Sequence, residues 1–62
     1  MNVGDLVEVN FDTNEAPLVA IVVGKHKTRV RWANIRFVDG SRNFGFDHHS
    51  YPWRNLRLIS ES

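Results

Sequence analysis

The chain has 62 residues, no cysteine, and eight Lys or Arg against seven Asp or Glu, which gives a formal net charge of +1 at pH 7. That length allows one domain, spanning residues 1–62, and the lack of cysteine excludes disulfides and thiolate zinc sites. The longest apolar block, PLVAIVVG, is far shorter than the roughly 20 residues of a membrane-spanning helix, so we expect a soluble, unprocessed, cytoplasmic protein without a membrane partner.

Charge is distributed unevenly along the chain. Four acids, Asp5, Glu8, Asp12 and Glu15, lie within the first fifteen residues, whereas residues 16 to 38 hold five cations and no acid. Such segregation can attract an anionic partner, unless the acidic segment folds against the basic one and neutralises it.

The segment LVEVNF predicts the first strand. Its apolar residues Val7, Val9 and Phe11 alternate with polar ones, which is the period of a strand with one buried face. The next segment, DTNEAP at residues 12–17, is rich in turn-forming residues, so we expect a loop there.

The segments LVAIVV and TRVRW predict the second and third strands, joined by a loop at residues 24–27. Antiparallel pairing around that loop predicts three core pairs. They are Val23 with Thr28, Ile21 with Val30, and Val19 with Trp32. The opposite face of the second strand then carries Leu18, Ala20 and Val22, which we expect to be covered in a homo-oligomer.

The segment VDGS predicts a two-residue hairpin turn at residues 39–40, which folds NIRFV onto SRNFGF. A continuous strand with Trp32 pointing inward would point Ile35 and Phe37 outward. We therefore expect a bulge or bend near Ala33 and Asn34 that turns Ile35 and Phe37 inward. Phe44 and Phe46 then share the core face.

The segment SYPWRN predicts a short 3₁₀ turn opened by Pro52, and LRLI predicts the last strand with Leu56 and Leu58 on one side. No window of the chain keeps a helical period. The sequence therefore predicts an all-β fold, a small five-stranded SH3-like barrel with a short 3₁₀ turn before the last strand.

The frame VGDLVEV, PLVAIVVGKHKTRVRW and YPWRNLRLIS resembles the small SH3-like barrel proteins encoded by bacteriophages, and it covers nearly the whole chain. More distantly, the chain is similar to the plasmid-borne type II dihydrofolate reductases, which have the same size and strand plan and work as tetramers around a central pore. That family carries a Val-Gln-Ile-Tyr run before the proline of its last turn. The matching run here is His48, His49, Ser50 and Tyr51, and only the tyrosine agrees.

The basic segment GKHKTRVRW supplies the first candidate binding surface, because cations can follow a phosphate backbone and exposed aromatic rings can stack on bases. Its candidate residues are Lys25, His26, Lys27, Arg29, Arg31 and Arg36. The alternative is that these side chains form a solvated strand face.

Two further constellations involve aromatic residues and histidines. Tyr51 and Trp53 flank Pro52 and could form a groove for a proline-rich peptide. A metal site would need His26, Asp47 and His49 to come together, and whether they do is left open. We expect no bound metal, because Asp47 and His49 alone are too few ligands for a structural zinc site. We also expect no catalytic residue and no cofactor, since neither a serine or cysteine nucleophile motif nor a phosphate-cradling loop is present.

These observations predict a non-enzymatic binding module, a phage accessory protein acting on a host protein in the host cytoplasm. The first alternative is sequence-tolerant nucleic-acid binding through the basic surface. The second is an oligomeric enzyme like the type II reductases.

Overall fold

The chain forms one antiparallel sheet of five strands. The computed structural model describes residues 1–62. The strands are β1 at Leu6–Val9, β2 at Leu18–Lys25, β3 at Trp32–Phe37, β4 at His49–Pro52 and β5 at Leu56–Ser60, in the spatial order β4-β3-β2-β1-β5. Two 3₁₀ turns lie at Gly40–Asn43 and Trp53–Asn55. The predictions of an all-β fold and of a 3₁₀ turn before the last strand are therefore confirmed.

The core lies on one face of this sheet and draws on β1, β2, β3 and the start of β5. Its members are Val7, Val9, Ala20, Val22, Ala33, Ile35, Phe37 and Leu56. Phe11 packs against the core, as the alternation in the first strand predicts. Leu58, which we expected beside Leu56, is instead exposed.

The pairing of β2 with β3 differs from the predicted pairing. Ala20 lies opposite Phe37 and Val22 lies opposite Ile35, so the buried face of β2 is the one that the sequence assigned to a subunit interface. The outward side chains are Val19, Ile21 and Val23. Because both faces of β2 are apolar, its own pattern does not select a register.

The segment TRVRW lies mostly in the loop between β2 and β3. Residues 26–31 have no strand assignment, and β3 begins only at Trp32. Val30, which we expected in the core, is 86% exposed in this loop. An irregularity near Asn34 is present, but it lies on the neighbouring strand, because the register shifts between Val22 and Gly24 and Gly24 pairs with Asn34. The extra residue of the ladder is therefore in β2.

The predicted hairpin turn at residues 39–40 is wrong. Asp39 has an extended backbone, with φ −75° and ψ 104°, and caps the 3₁₀ turn that follows. Its Oδ1 accepts hydrogen bonds from the hydroxyl of Ser41 at 2.8 Å and from the amide of Ser41 at 3.1 Å. These two donors, the hydroxyl first, hold the pKa of Asp39 below its usual value. Phe44 and Phe46 follow this turn and are exposed.

At the end of β3, the side chain of Asn43 makes the backbone hydrogen bonds that a neighbouring strand would otherwise make. Its side chain is buried, accepts a hydrogen bond from the backbone N–H of Phe37 at 3.0 Å, and donates one to the carbonyl of Phe37 at 3.1 Å. The side-chain amide of Asn43 thus pairs with the backbone N–H and C=O of Phe37, which lies beyond the end of the pairing between β3 and β4.

Asp5 joins the segment before β1 to the segment after β5. It is buried and accepts hydrogen bonds from the backbone N–H groups of Asn2 at 2.9 Å and Ser62 at 3.0 Å. These bonds, the one from Asn2 first, hold the pKa of Asp5 below its usual value. The approach is close enough that a Cβ on Gly4, whose φ is +95°, would lie 2.8 Å from the Cβ of Ser62.

Candidate functional site

The loop at residues 26–31 is organised around the ring of His26. Its Nδ1 accepts hydrogen bonds from the backbone N–H groups of Arg29 at 3.0 Å and Thr28 at 3.2 Å. The backbone N–H of His26 donates to the carbonyl of Trp32 at 3.3 Å, which closes the loop. A side-chain acceptor that satisfies successive amides fixes a tight turn in the same way that an N-cap does.

Trp32 and Trp53 tie this loop to the second 3₁₀ turn. The guanidinium carbon of Arg29 lies 4.6 Å from the centroid of the Trp32 ring, a cation–π contact. Arg31 has a left-handed backbone with φ 61°, and its carbonyl accepts a hydrogen bond from the backbone N–H of Trp53 at 2.8 Å. The loop and the turn therefore form one structural unit.

A groove of about 700 Å³ lies between the loop and the turn. It is lined by Val30, Arg31, Trp32, Pro52, Trp53 and Arg54. Trp53 is 37% exposed and lines this groove, whereas Trp32 is half-buried and lies beneath Arg29. The groove thus combines an accessible aromatic ring with cationic walls.

The cations around this groove have no carboxylate partners. The ion pairs of the structure are Arg57 with Glu8 and Arg42 with Glu15, and neither includes a residue of the loop. Arg31 and Arg54 line the groove without a carboxylate partner, and the neighbouring cations Lys25, Lys27 and Arg29 are likewise unpaired. Since unpaired positive charges at one place raise the local potential, this surface favours an anionic ligand.

The acidic first segment does not neutralise the loop, because its carboxylates are engaged elsewhere. Glu8 accepts two hydrogen bonds from Arg57 on β5, at 3.2 and 3.3 Å. Asp12 accepts one from the side-chain amide of Asn55 at 3.1 Å. Asp5 holds backbone amides, as described above.

Arg36 has different surroundings from the other candidate cations. It lies on β3, and its Nη1 donates hydrogen bonds to the carbonyls of Asp47 at 3.1 Å and Phe46 at 3.3 Å. It therefore anchors the segment before β4 and stands apart from the loop.

Tyr51 and Trp53, which the sequence suggested as one aromatic groove, line different cavities. The ring of Tyr51 packs edge-on against Phe11, with ring centroids 5.9 Å apart, and near Phe37 at 6.4 Å. It lines a smaller cleft of about 160 Å³ together with Phe44 and other residues. The aromatic partner that shares a groove with Trp53 is Trp32.

The three candidate metal ligands do not come together. No group of three or more His, Asp or Glu side chains is close enough to hold a metal ion. The ring of His49 packs against Phe37 and Phe46, and its Nε2 lies 3.3 Å from the carbonyl of Asn43. His26 instead lines a polar pocket with His48.

Trp32 and Arg54 line the groove, and the sequence predicted neither residue there. The predicted strand pairing, which the structure contradicts, places Trp32 in the core, and Arg54 lies outside both predicted binding surfaces. A usable signal was present for both, since Trp32 ends the basic segment and Arg54 directly follows Trp53. What links them is the hydrogen bond between Trp53 and Arg31, which no local pattern reveals.

Comparison with known proteins adds no relative to this description: no protein-family model, no curated protein and no solved structure matches the chain. No helix in the structure has the length and apolar character required to cross a membrane.

Proposed function

We propose that this chain is a non-enzymatic binding module of the SH3-like barrel type whose ligand is single-stranded nucleic acid, held along the groove between the loop and the second 3₁₀ turn. The strand order β4-β3-β2-β1-β5 and the 3₁₀ turn before β5 support the barrel assignment. Binding in the cytoplasm of a host cell is part of the same proposal.

The observation that carries the proposal is the set of unpaired cations around an exposed tryptophan. Arg31 and Arg54 share the groove with Trp53, and no carboxylate lies within ion-pair distance of either arginine. Proteins that bind single strands without sequence preference combine a cationic groove for the backbone with aromatic rings on which bases stack. A duplex offers no free base to Trp53, so single strands are the favoured class.

Binding should be measured by fluorescence anisotropy on a labelled oligothymidylate of about ten nucleotides, a length within the site sizes of small single-strand binders. With about three phosphate contacts, the slope of log K against log salt should be near −2. Affinity should then fall roughly twentyfold between about 50 and about 200 mM salt.

Two variants and one matched control locate the surface. Trp53→Ala should weaken binding about tenfold, because stacking contributes roughly 1–3 kcal/mol per base. Arg29→Gln combined with Arg31→Gln should weaken binding to all sequences alike and flatten the salt slope by about 1 to 2. Arg57→Gln removes a charge on β5, where the arginine pairs with Glu8, and should change the affinity less than twofold.

A parent protein that does not bind single strands at about 50 mM salt would overturn the ligand assignment. If Trp53→Ala and Arg57→Gln lowered the oligonucleotide affinity equally, the assigned binding surface would be wrong. In the first case the exposed Val30 and Trp53 would favour a host protein as the partner.

We also propose that the chain forms a homo-oligomer through the outer face of β2. Val19, Ile21 and Val23 are each about 40% exposed along this strand, and they replace the interface residues expected from the sequence. Sedimentation equilibrium at high protein concentration should show a particle larger than the 7.2 kDa chain, and Ile21→Lys should return it to that mass. A parent protein that sediments as a 7.2 kDa particle contradicts this proposal.

A further inference from the structure

A polar pocket lies on the outer side of β3 and β4, beside the basic loop. It has a volume of about 290 Å³ and no apolar residue in its lining. The lining residues are His26, Lys27, Asn34, His48 and Ser50. None of them carries a carboxylate, so no negative charge in the lining would repel a bound anion.

The hydrogen bonds of His26 determine which ring nitrogen can donate a hydrogen bond to a ligand. Nδ1 accepts hydrogen bonds from the backbone N–H groups of Thr28 and Arg29, so it carries no proton in this loop conformation. A neutral imidazole then has its proton on Nε2, which makes Nε2–H a donor. The turn that shapes the loop thus also fixes the tautomer of this ring.

Asn34 is oriented in a comparable way by Ser50. The hydroxyl of Ser50 donates a hydrogen bond to Oδ1 of Asn34 at 2.7 Å, and Nδ2 of Asn34 has no hydrogen-bond acceptor in the structure. The free amide hydrogens and the ammonium of Lys27 are therefore further donors on the wall of this pocket.

The pocket and the tryptophan groove lie on the same side of the β3–β4 pair. Trp32 lies opposite Pro52, and Asn34 lies opposite Ser50. Residues two apart on a strand point to the same face and are separated by about 7 Å. A ligand in the tryptophan groove can therefore reach the polar pocket without crossing the sheet.

We propose that this pocket is a phosphate subsite, in which Asn34 Nδ2, His26 Nε2–H and the Lys27 ammonium donate to the oxygens of one phosphate group. This inference rests on the proposed function for the identity of the ligand, a phosphodiester adjoining the base that stacks on Trp53. The subsite itself follows from the donors alone, so inorganic phosphate is a sufficient probe.

The first experiment titrates the ¹⁵N-labelled protein with inorganic phosphate at constant ionic strength. The side-chain amide signal of Asn34 should shift saturably. Lys27→Gln should raise the dissociation constant for phosphate about fivefold, because it removes one charged donor. Arg57→Gln is the matched control, since it removes one positive charge on β5, outside this pocket and outside the basic surface, and should raise that constant less than twofold.

Asn34→Asp is the sharper variant. It keeps the acceptor for the Ser50 hydroxyl and replaces the free donor by a negative charge. Because this variant lacks the Asn34 side-chain amide, the backbone amide signals of His26 and Lys27 serve as the probe, and phosphate should shift them in the parent protein but not in Asn34→Asp. Oligothymidylate affinity should fall at least fivefold in the same variant. Because Lys27 lies in an exposed loop, its variant tests the pocket even if Asn34→Asp does not fold.

The outcomes separate this inference from the proposed function. A parent protein that binds phosphate here but no oligonucleotide supports the subsite and overturns the assigned ligand. A parent protein that binds oligonucleotide but shows no Asn34 shift with phosphate overturns the subsite and leaves the function standing. Equal effects of Lys27→Gln and Arg57→Gln on phosphate binding also overturn it.

Discussion

The acidic segment at residues 5–15 and the basic loop at residues 26–31 carry opposite charges and use them in different ways. The carboxylates of Asp5, Glu8 and Asp12 accept hydrogen bonds from the chain itself. The arginines of the loop have no carboxylate partner. The comparison shows two uses of charge. A charged group that is hydrogen-bonded within the molecule contributes to folding, whereas a charged group without a partner beside a groove is available to bind a ligand.

Among the polar residues, the largest expected effect comes from Asn43, whose side-chain amide is hydrogen-bonded within the fold. Asn43→Ala leaves the backbone N–H and C=O of Phe37 without partners in a buried position. It should lower the free energy of unfolding by about 2 to 4 kcal/mol, measured by chemical denaturation. Asn14→Ala, in the exposed loop before β2, should change that free energy by less than about 0.5 kcal/mol. Equal effects would contradict the internal role of Asn43.

The next effect concerns pH and tests whether Asp5 stabilises the fold. Its folded pKa lies below the 3.8 of the unfolded chain, because the amides of Asn2 and then Ser62 favour the carboxylate. Its contribution is therefore fully present above pH 3.8 and is lost as the pH falls through the folded pKa. Thermal melts of Asp5→Asn should show a lower melting temperature than the parent at neutral pH and a smaller decrease on acidification.

Asp47→Asn is the control for that experiment, since the carboxylate of Asp47 accepts no hydrogen bond and is exposed. Its melts should keep the acid dependence of the parent. If Asp5→Asn also kept the full dependence, Asp5 would have no special part in acid stability.

A smaller effect on stability is expected in the basic loop. Arg29→Gln combined with Arg31→Gln removes the contact between Arg29 and Trp32, which at an exposed site contributes about 0.5–1 kcal/mol. The free energy of unfolding should fall by no more than that, while oligonucleotide affinity falls as described above. A loss of several kcal/mol would mean that the cations belong to the fold after all.

The smallest effect is expected at the tip of the loop. Val30→Asp should change the free energy of unfolding by less than about 0.5 kcal/mol, because the side chain is 86% exposed. Val22→Asp should abolish folding, since it places an unpaired charge in the core. Circular dichroism of the two variants tests the corrected register of β2 directly.

The strands that the sequence predicted well are those with one polar face. Val7, Val9 and Phe11 alternate with polar residues, so their buried face is determined locally. In β2 both faces are apolar, and only the pairing with Ile35 and Phe37 determines which one is buried.

The segment after β3 shows a different limit of local patterns. Phe44 and Phe46 alternate with other residues in the manner of a strand, but Asp39 caps a 3₁₀ turn and Asn43 satisfies the backbone of Phe37. Those side-chain hydrogen bonds compete with strand pairing, and a period of two does not reveal them.

The sequence predicted the cluster of cations at the candidate site, but it did not predict the tertiary contacts that form the groove. The cations of the loop are contiguous in sequence, so their clustering needs no tertiary information. The groove requires Trp53 to meet Arg31 through a backbone hydrogen bond, and the phosphate subsite requires Ser50 to orient Asn34. Both are contacts between residues far apart in the chain.

The left-handed backbone of Arg31 has a consequence for the engineering of this protein. A non-glycine residue at φ 61° is strained by about 1 kcal/mol or more, and glycine would relieve that strain. A screen that selected only for thermal stability would therefore accept Arg31→Gly and discard a guanidinium at the rim of the groove. At this one position, thermostability and ligand affinity oppose each other, so selections on this scaffold should monitor both.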